Sequence, residues 1–109
     1  MFSTRSAILC AALLLSSTPA LAQDTYSIAF KDHRIVPPEL EIPSGKKIKL
    51  IVDNQDPTPE EFESHSLNRE KIIPGNSKAT IFIGPLKPGS YEIFGEFNQA
   101  TAQGRIIAK

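Results

Sequence analysis

The sequence predicts an all-β fold, an antiparallel sandwich or Greek-key barrel of seven or eight short strands. Three observations carry this. Short runs alternate apolar and polar residues with the period of a half-buried strand. Turn signals built from proline, glycine, asparagine and aspartate recur roughly every 8–12 residues. No stretch beyond the first 22 residues has helical periodicity, so no helix is available to cover a sheet, and two sheets must bury each other's apolar faces.

Thr25 to Phe30 sets Tyr26, Ile28 and Phe30 against Thr25, Ser27 and Ala29. Lys31-Asp32-His33-Arg34 interrupts it before Ile35 and Val36 resume. Pro37-Pro38 then forces an extended bend, and Leu40 and Ile42 alternate with Glu39 and Glu41. Prolines here suit an edge strand or a crossing between two sheets. After the Pro43-Ser44-Gly45 turn, Lys46 to Asn54 is the clearest strand, with Ile48, Leu50 and Val52 on one face. Gln55 to Glu60 holds Pro57 and Pro59 and reads as loop; Glu61 to Leu67 reads as strand. Ile72-Ile73 precedes the turn Pro74-Gly75-Asn76. Lys78 to Ile83, Tyr91 to Phe97 and Arg105 to Ala108 complete the strands, with a loop over Gly84 to Gly89.

Residues 1–22 are expected to be an export leader. Arg5 precedes the apolar run Ala7 to Leu15, which is too short to span a bilayer as a helix. Ala20-Leu21-Ala22 supplies a small-x-small cleavage signal. Cys10 sits inside the apolar run without the context of a lipoprotein site. Cleavage after Ala22 leaves residues 23–109, which is 109 minus 22, or 87 residues, enough for one small domain in the periplasm. The single cysteine and single methionine leave with the leader, so neither a disulfide nor a thiolate ligand is expected. Removing Arg5 from 12 basic residues leaves 11 against 12 acidic ones, a balance that gives no reason to expect nucleic acid or an anionic membrane as partner.

The stretch Asn54 to Leu67 concentrates oxygen donors and one imidazole. Glu61, Glu63 and His65 are spaced by two, so on a strand they share a face. Carboxylates with an imidazole suit iron, Cu(II), manganese or calcium rather than Cu(I). The competing reading is a solvated face formed by Glu60, Glu61 and Glu63 with a surface His65. If Phe62 packs in the core, Glu61 and Glu63 face outward. His33, Asp53 and Asp56 read as turn residues, Gly95 as a bulge or a close backbone approach, and Tyr91 as a corner or core residue with its hydroxyl on backbone. Ser64 and His65 are adjacent on a strand and point to opposite faces, so they form no nucleophile–base pair. No phosphate loop and no Cys-x-x-Cys or His-Glu-x-x-His motif occurs.

Leu86-Lys87-Pro88-Gly89-Ser90-Tyr91, leading into Glu92-Ile93-Phe94-Gly95, resembles the cupredoxin segment that approaches the last metal ligands. Phe30 to Gly45, followed by a strand ending in Asn54, resembles the front half of that family. The likeness extends to the cupredoxin-like domains of bacterial periplasmic iron uptake (EfeO-type), through Glu61-Phe62-Glu63, Pro74-Gly75 and Phe94-Gly95 to Ala102-Gln103-Gly104. The resemblance implies a cupredoxin-like Greek-key β-sandwich. It also implies that the loop before Glu61 meets the loop Phe97 to Gln103, bringing Glu96 within reach of Glu61, Glu63 and His65 as metal ligands. A blue-copper centre needs two histidines and a cysteine, with a weak axial group such as methionine. Gly95 takes the cysteine position, Asn98 the next histidine position, and the Glu61–Glu63 segment the first. What the resemblance implies is therefore copper or iron held by carboxylates without a blue-copper centre. The associated role is an accessory of iron transport, partnered by an iron permease and a periplasmic metal-binding protein, and at most assisting ferrous oxidation. A metal-free docking module and an unrelated exported sandwich are the alternatives.

Overall fold

The computed structural model describes residues 24–109. The expected leader, including Cys10, lies outside the described residues. Nine strands follow in chain order: β1 Asp24–Lys31, β2 Arg34–Val36, β3 Glu39–Ile42, β4 Ile48–Asn54, β5 Glu60–Ser64, β6 Arg69–Ile73, β7 Ser77–Ile83, β8 Gly89–Gly95 and β9 Gln103–Ala108. A single 3-10 turn, Glu96–Asn98, separates β8 from β9. Among the described residues no helix is long and apolar enough to cross a membrane.

The strands form two sheets, one of four in the order β2-β1-β4-β7 and one of five in the order β3-β9-β8-β5-β6. The all-β sandwich expected from the sequence is what forms. The pairing differs from a wholly antiparallel one, because β1 runs parallel to β4 and β3 parallel to β9. The ninth strand arises at Pro37-Pro38, where the chain leaves β2 in one sheet and enters β3 in the other. Proline lacks a ladder donor, so the two pieces belong to different edges.

The core lies between the sheets. On β4 the alternation of Ile48, Leu50 and Val52 is wholly buried, and Phe30, Phe62, Ile93 and Ile106 meet it from other strands. Fully burying a side chain of this kind contributes about 1.5–3 kcal/mol over leaving it exposed. The edge strand β6 exposes Arg69, Glu70, Lys71 and Ile72 and buries Ile73. Its charges discourage pairing with another chain.

One end of the sandwich is tied together by polar side chains. Asn54, at the end of β4, donates from Nδ2 to the carbonyls of Thr58, Ile73 and Pro74 at 2.9, 3.1 and 3.3 Å, and its Oδ1 accepts from the Asp56 amide. Asp56 in turn accepts from the amides of Asp32 and His33 at 2.8 and 3.0 Å. Those two residues form the β1–β2 turn with φ of 53° and 58°, as a two-residue primed hairpin turn requires. His33 and Asp56 are thus the turn residues that the sequence suggested, whereas Asp53 lies within β4. Tyr91 donates its hydroxyl to the Lys87 carbonyl at 2.8 Å, a corner bond.

Candidate functional site

The site is set by β5 and its neighbours. Phe62 is 0% exposed, and in a strand its neighbours Glu61 and Glu63 must face the other way. They lie on the outer face of the five-stranded sheet. The β5–β6 hairpin places Glu63 opposite Glu70 and Glu61 opposite Ile72. One carboxylate oxygen from each of Glu61, Glu63 and Glu70 lies within 4.8 Å of the others.

Charge repulsion marks the cluster. The carboxyl of Glu61 is raised above its ordinary value by partial burial, then by Glu70, Glu96 and Glu60. That of Glu63 is raised by partial burial, Glu70, Glu61 and Glu96, and lowered by His65. Clustered like charges disfavour ionisation, and a cation relieves that repulsion.

The expected donors are distributed unevenly. Glu61 and Glu63 come together, with Glu70 as their third member. Glu96 acts on both electrostatically from the 3-10 turn but stands outside the 4.8 Å group. β5 ends at Ser64, so His65 sits in the following turn; it is exposed, with its ring 5.4 Å from that of Phe94. Ser64 is buried, donating to the Glu92 carbonyl at 2.6 Å and accepting from the Leu67 amide.

Two residues escape the sequence reading. Glu70 belongs to the cluster because the turn His65 to Asn68 pairs Ser64 with Arg69. The signal was Asn68, which adopts φ 55°, a left-handed conformation that asparagine tolerates well. The other is Glu60, expected in a loop and on a solvated face. It opens β5 and is 2% exposed. Its Oε1 accepts from the amides of Phe97 at 2.8 Å and Glu61 at 3.0 Å, and its Oε2 accepts from Asn98 Nδ2 at 2.7 Å. The loops before β5 and after β8 meet through this carboxylate. Its parity with Phe62 was the available signal; burial of a carboxylate becomes tolerable through hydrogen-bond donors, and two of the three here lie 37 and 38 residues away.

Gly95 packs directly on Glu60. A Cβ at position 95 would lie 2.7 Å from Glu60 Cδ and 2.9 Å from Ala102 Cβ. The close approach expected at this glycine is therefore made to a side chain. Beside the acidic cluster, a groove of about 490 Å³ on the same sheet is lined by residues that include Phe94, Gln99, Gln103 and Arg105. Arg105 is paired there with Glu39 at 3.0 Å.

The sequence profile of the cupredoxin-like domain matches residues 5–108. An uncharacterized protein of Rickettsia prowazekii (strain Madrid E) is 56% identical over 80 residues, covering 73% of this chain. The chain spans 64% of the length of that relative. Among solved structures, auracyanin A, a blue copper protein from Chloroflexus aurantiacus, matches with a TM-score of 0.69 at 11% identity, covering 81% of this chain and all of its own. The metal-binding domain of a Cu(I)-exporting P-type ATPase of Streptococcus pneumoniae gives 0.68 at 12% identity, over 84% of this chain and 91% of that one. Amicyanin from Paracoccus versutus gives 0.59 at 17% identity, over 84% and 85%. At these identities the structural matches establish the shared fold.

Proposed function

This chain belongs to the cupredoxin-like domain family, and from that premise we propose that it is an exported accessory of iron transport that holds iron or Cu(II) on surface carboxylates. Its fold is related to those of copper-binding proteins. The observation that carries the reading is the convergence of Glu61, Glu63 and Glu70 on the outer sheet face, with Glu96 adding negative potential.

A blue-copper centre does not fit the residues present. Cys10 and Met1 are the only sulfur-bearing residues in the sequence. At the end where the two loops meet, Glu60, Gly95, Asn98 and Ala102 converge, and Glu60 is already satisfied by three donors. An oxygen-rich outer cluster instead suits a hard or borderline cation. Open to solvent on one side, such a site favours transient loading and hand-over to an iron permease or a periplasmic metal-binding protein. Assistance to ferrous oxidation would require the bound metal itself to change state, because no redox-active side chain lies among these donors.

A second reading rests on exposed apolar surface. Ile72 is 56% exposed directly opposite Glu61, and Phe97 is 51% exposed at the 3-10 turn. These two side chains suit a metal-free module that docks a periplasmic or membrane partner.

Calorimetric titration of the protein with Cu(II) and Fe(III), repeated on Glu61→Gln, Glu63→Gln and Glu96→Gln, separates the readings. Binding that weakens about tenfold or more in the first two variants supports the metal site. Absent or unchanged binding removes it and leaves docking.

A further inference from the structure

The near-neutral total charge conceals a division between the two outer faces of the sandwich. Strand alternation turns Lys31, Arg34, Lys49 and Lys78 outward on the four-stranded sheet, with Lys47 just ahead of β4. Lys47 is held on that face, its Nζ 5.0 Å from the centre of the exposed Phe82 ring. Asp53 is the only acidic residue at these outward strand positions, and it accepts a hydrogen bond from Gln55 at 3.0 Å. Among the described residues, none of these bases forms an ion pair.

The outer face of the five-stranded sheet is the reverse. Its bases are already engaged, Arg105 with Glu39 and Lys109 with Glu41, both at 3.0 Å. Glu61, Glu63, Glu70 and Glu92 face outward with no ion pair among the described residues. Exposed apolar side chains punctuate both faces, Phe82 and Val36 on the basic one and Ile72 on the acidic one.

We propose that the basic outer face of the four-stranded sheet docks a second copy of this chain, through that copy's acidic outer face. An anionic membrane would meet the basic face and leave the acidic one unpartnered; a second copy satisfies both. The two faces point away from each other, so the contact is heterologous and repeats as an open stack instead of closing as a dimer. A face four strands wide and seven residues long measures about 19 by 23 Å. Two such faces bury roughly 900 Å², below the about 1,200 Å² of stable specific interfaces. Stacking is therefore weak and governed by salt. It covers Glu61, Glu63 and Glu70 and shields them; that consequence alone rests on their reading as an ion site.

Sedimentation velocity of the metal-free protein over a concentration series is the test. At about 0.01 M salt the weight-average sedimentation coefficient is expected to rise with protein concentration, and at about 0.15 M to return to the monomer value. Lys47→Glu, Lys49→Glu and Lys78→Glu together turn the basic face acidic; Glu63→Lys, Glu70→Lys and Glu92→Lys together turn the acidic face basic. Each triple variant alone is expected to associate at least tenfold more weakly than wild type, and an equimolar mixture of the two to regain association. Should a reversed variant fail to fold, Lys47→Gln with Lys49→Gln and Lys78→Gln is expected to give the same weakening. A protein that stays monomeric at about 0.01 M salt overturns the proposal, as does association that stops at a dimer or persists unchanged at about 0.15 M. Variants that associate like wild type overturn it too. Monomeric protein that binds phosphatidylglycerol vesicles through these lysines assigns the face to a membrane and overturns stacking. No metal is present in any arm, so a failed copper or iron titration leaves the result untouched.

Discussion

Asn98 donates to Glu60 across 38 residues of sequence, through a 2.7 Å bond that lands on a carboxylate packed against the bare Cα of Gly95. The backbone at Gly95 is extended, with φ −95°, so the glycine is needed for space and not for conformation. Gly95→Ala is expected to cost about 1–3 kcal/mol by overpacking, measured by urea unfolding. In a Glu60→Ala background the same substitution should cost less, because the nearest clash is gone. Strict additivity would show that Glu60 is not what excludes a side chain there.

Gly75 is a harder case. A Cβ there would lie 2.1 Å from the Pro57 carbonyl oxygen and 2.4 Å from its carbon. Those are backbone atoms, which cannot swing aside as the end of Glu60 can. Gly75→Ala is therefore expected to exceed Gly95→Ala in destabilisation, by more than about 1 kcal/mol on the scale of overpacking effects. Equal unfolding midpoints would mean that the loop Gln55 to Pro59 yields freely.

Much of the fold was legible because burial enforces period two. Ile48, Leu50 and Val52 on β4, and the break at Pro37-Pro38, announced themselves from local chemistry. The parallel pairings of β1 with β4 and β3 with β9 did not, since strand partners depend on topology and not on any local pattern. The site was legible in the same proportion. Glu61 and Glu63 followed from spacing, and their outward aim from Phe62. Glu70 required the register of a hairpin whose turn was unplaced, and Glu60 required donors far along the chain.

Asn54 tests the polar end of the sandwich. Its amide faces three carbonyl oxygens while its oxygen serves the Asp56 amide. Asn54→Ala leaves these buried groups short of partners, at roughly 1–3 kcal/mol each for the most buried. Asn54→Asp is expected to be worse at neutral pH, because a carboxylate oxygen then opposes carbonyl oxygens at about 3 Å with no proton between them. Thermal unfolding that ranks Asp above Ala at pH 7 would refute this account of the joint.

The acidic cluster makes the protein's stability depend on pH with a definite sign. Glu61 and Glu63 have folded-state values raised above those of the unfolded chain. Between the unfolded and folded values the native state binds more protons, so this contribution is fully present below the unfolded value and is lost as pH rises through the folded one. Wild type is thus expected to gain on Glu63→Gln, in unfolding temperature, as pH falls from 7 through the ordinary glutamate range near about 4.3. Because the cluster is open to solvent, the gain should be larger at about 0.01 M salt than at about 0.15 M, where the Debye length shortens from about 30 to about 8 Å. Protons compete with cations for the same oxygens, so metal affinity should fall over the same pH interval in which stability rises. Opposite signs for these two trends are the signature of shared carboxylates. Parallel trends would place any bound metal elsewhere.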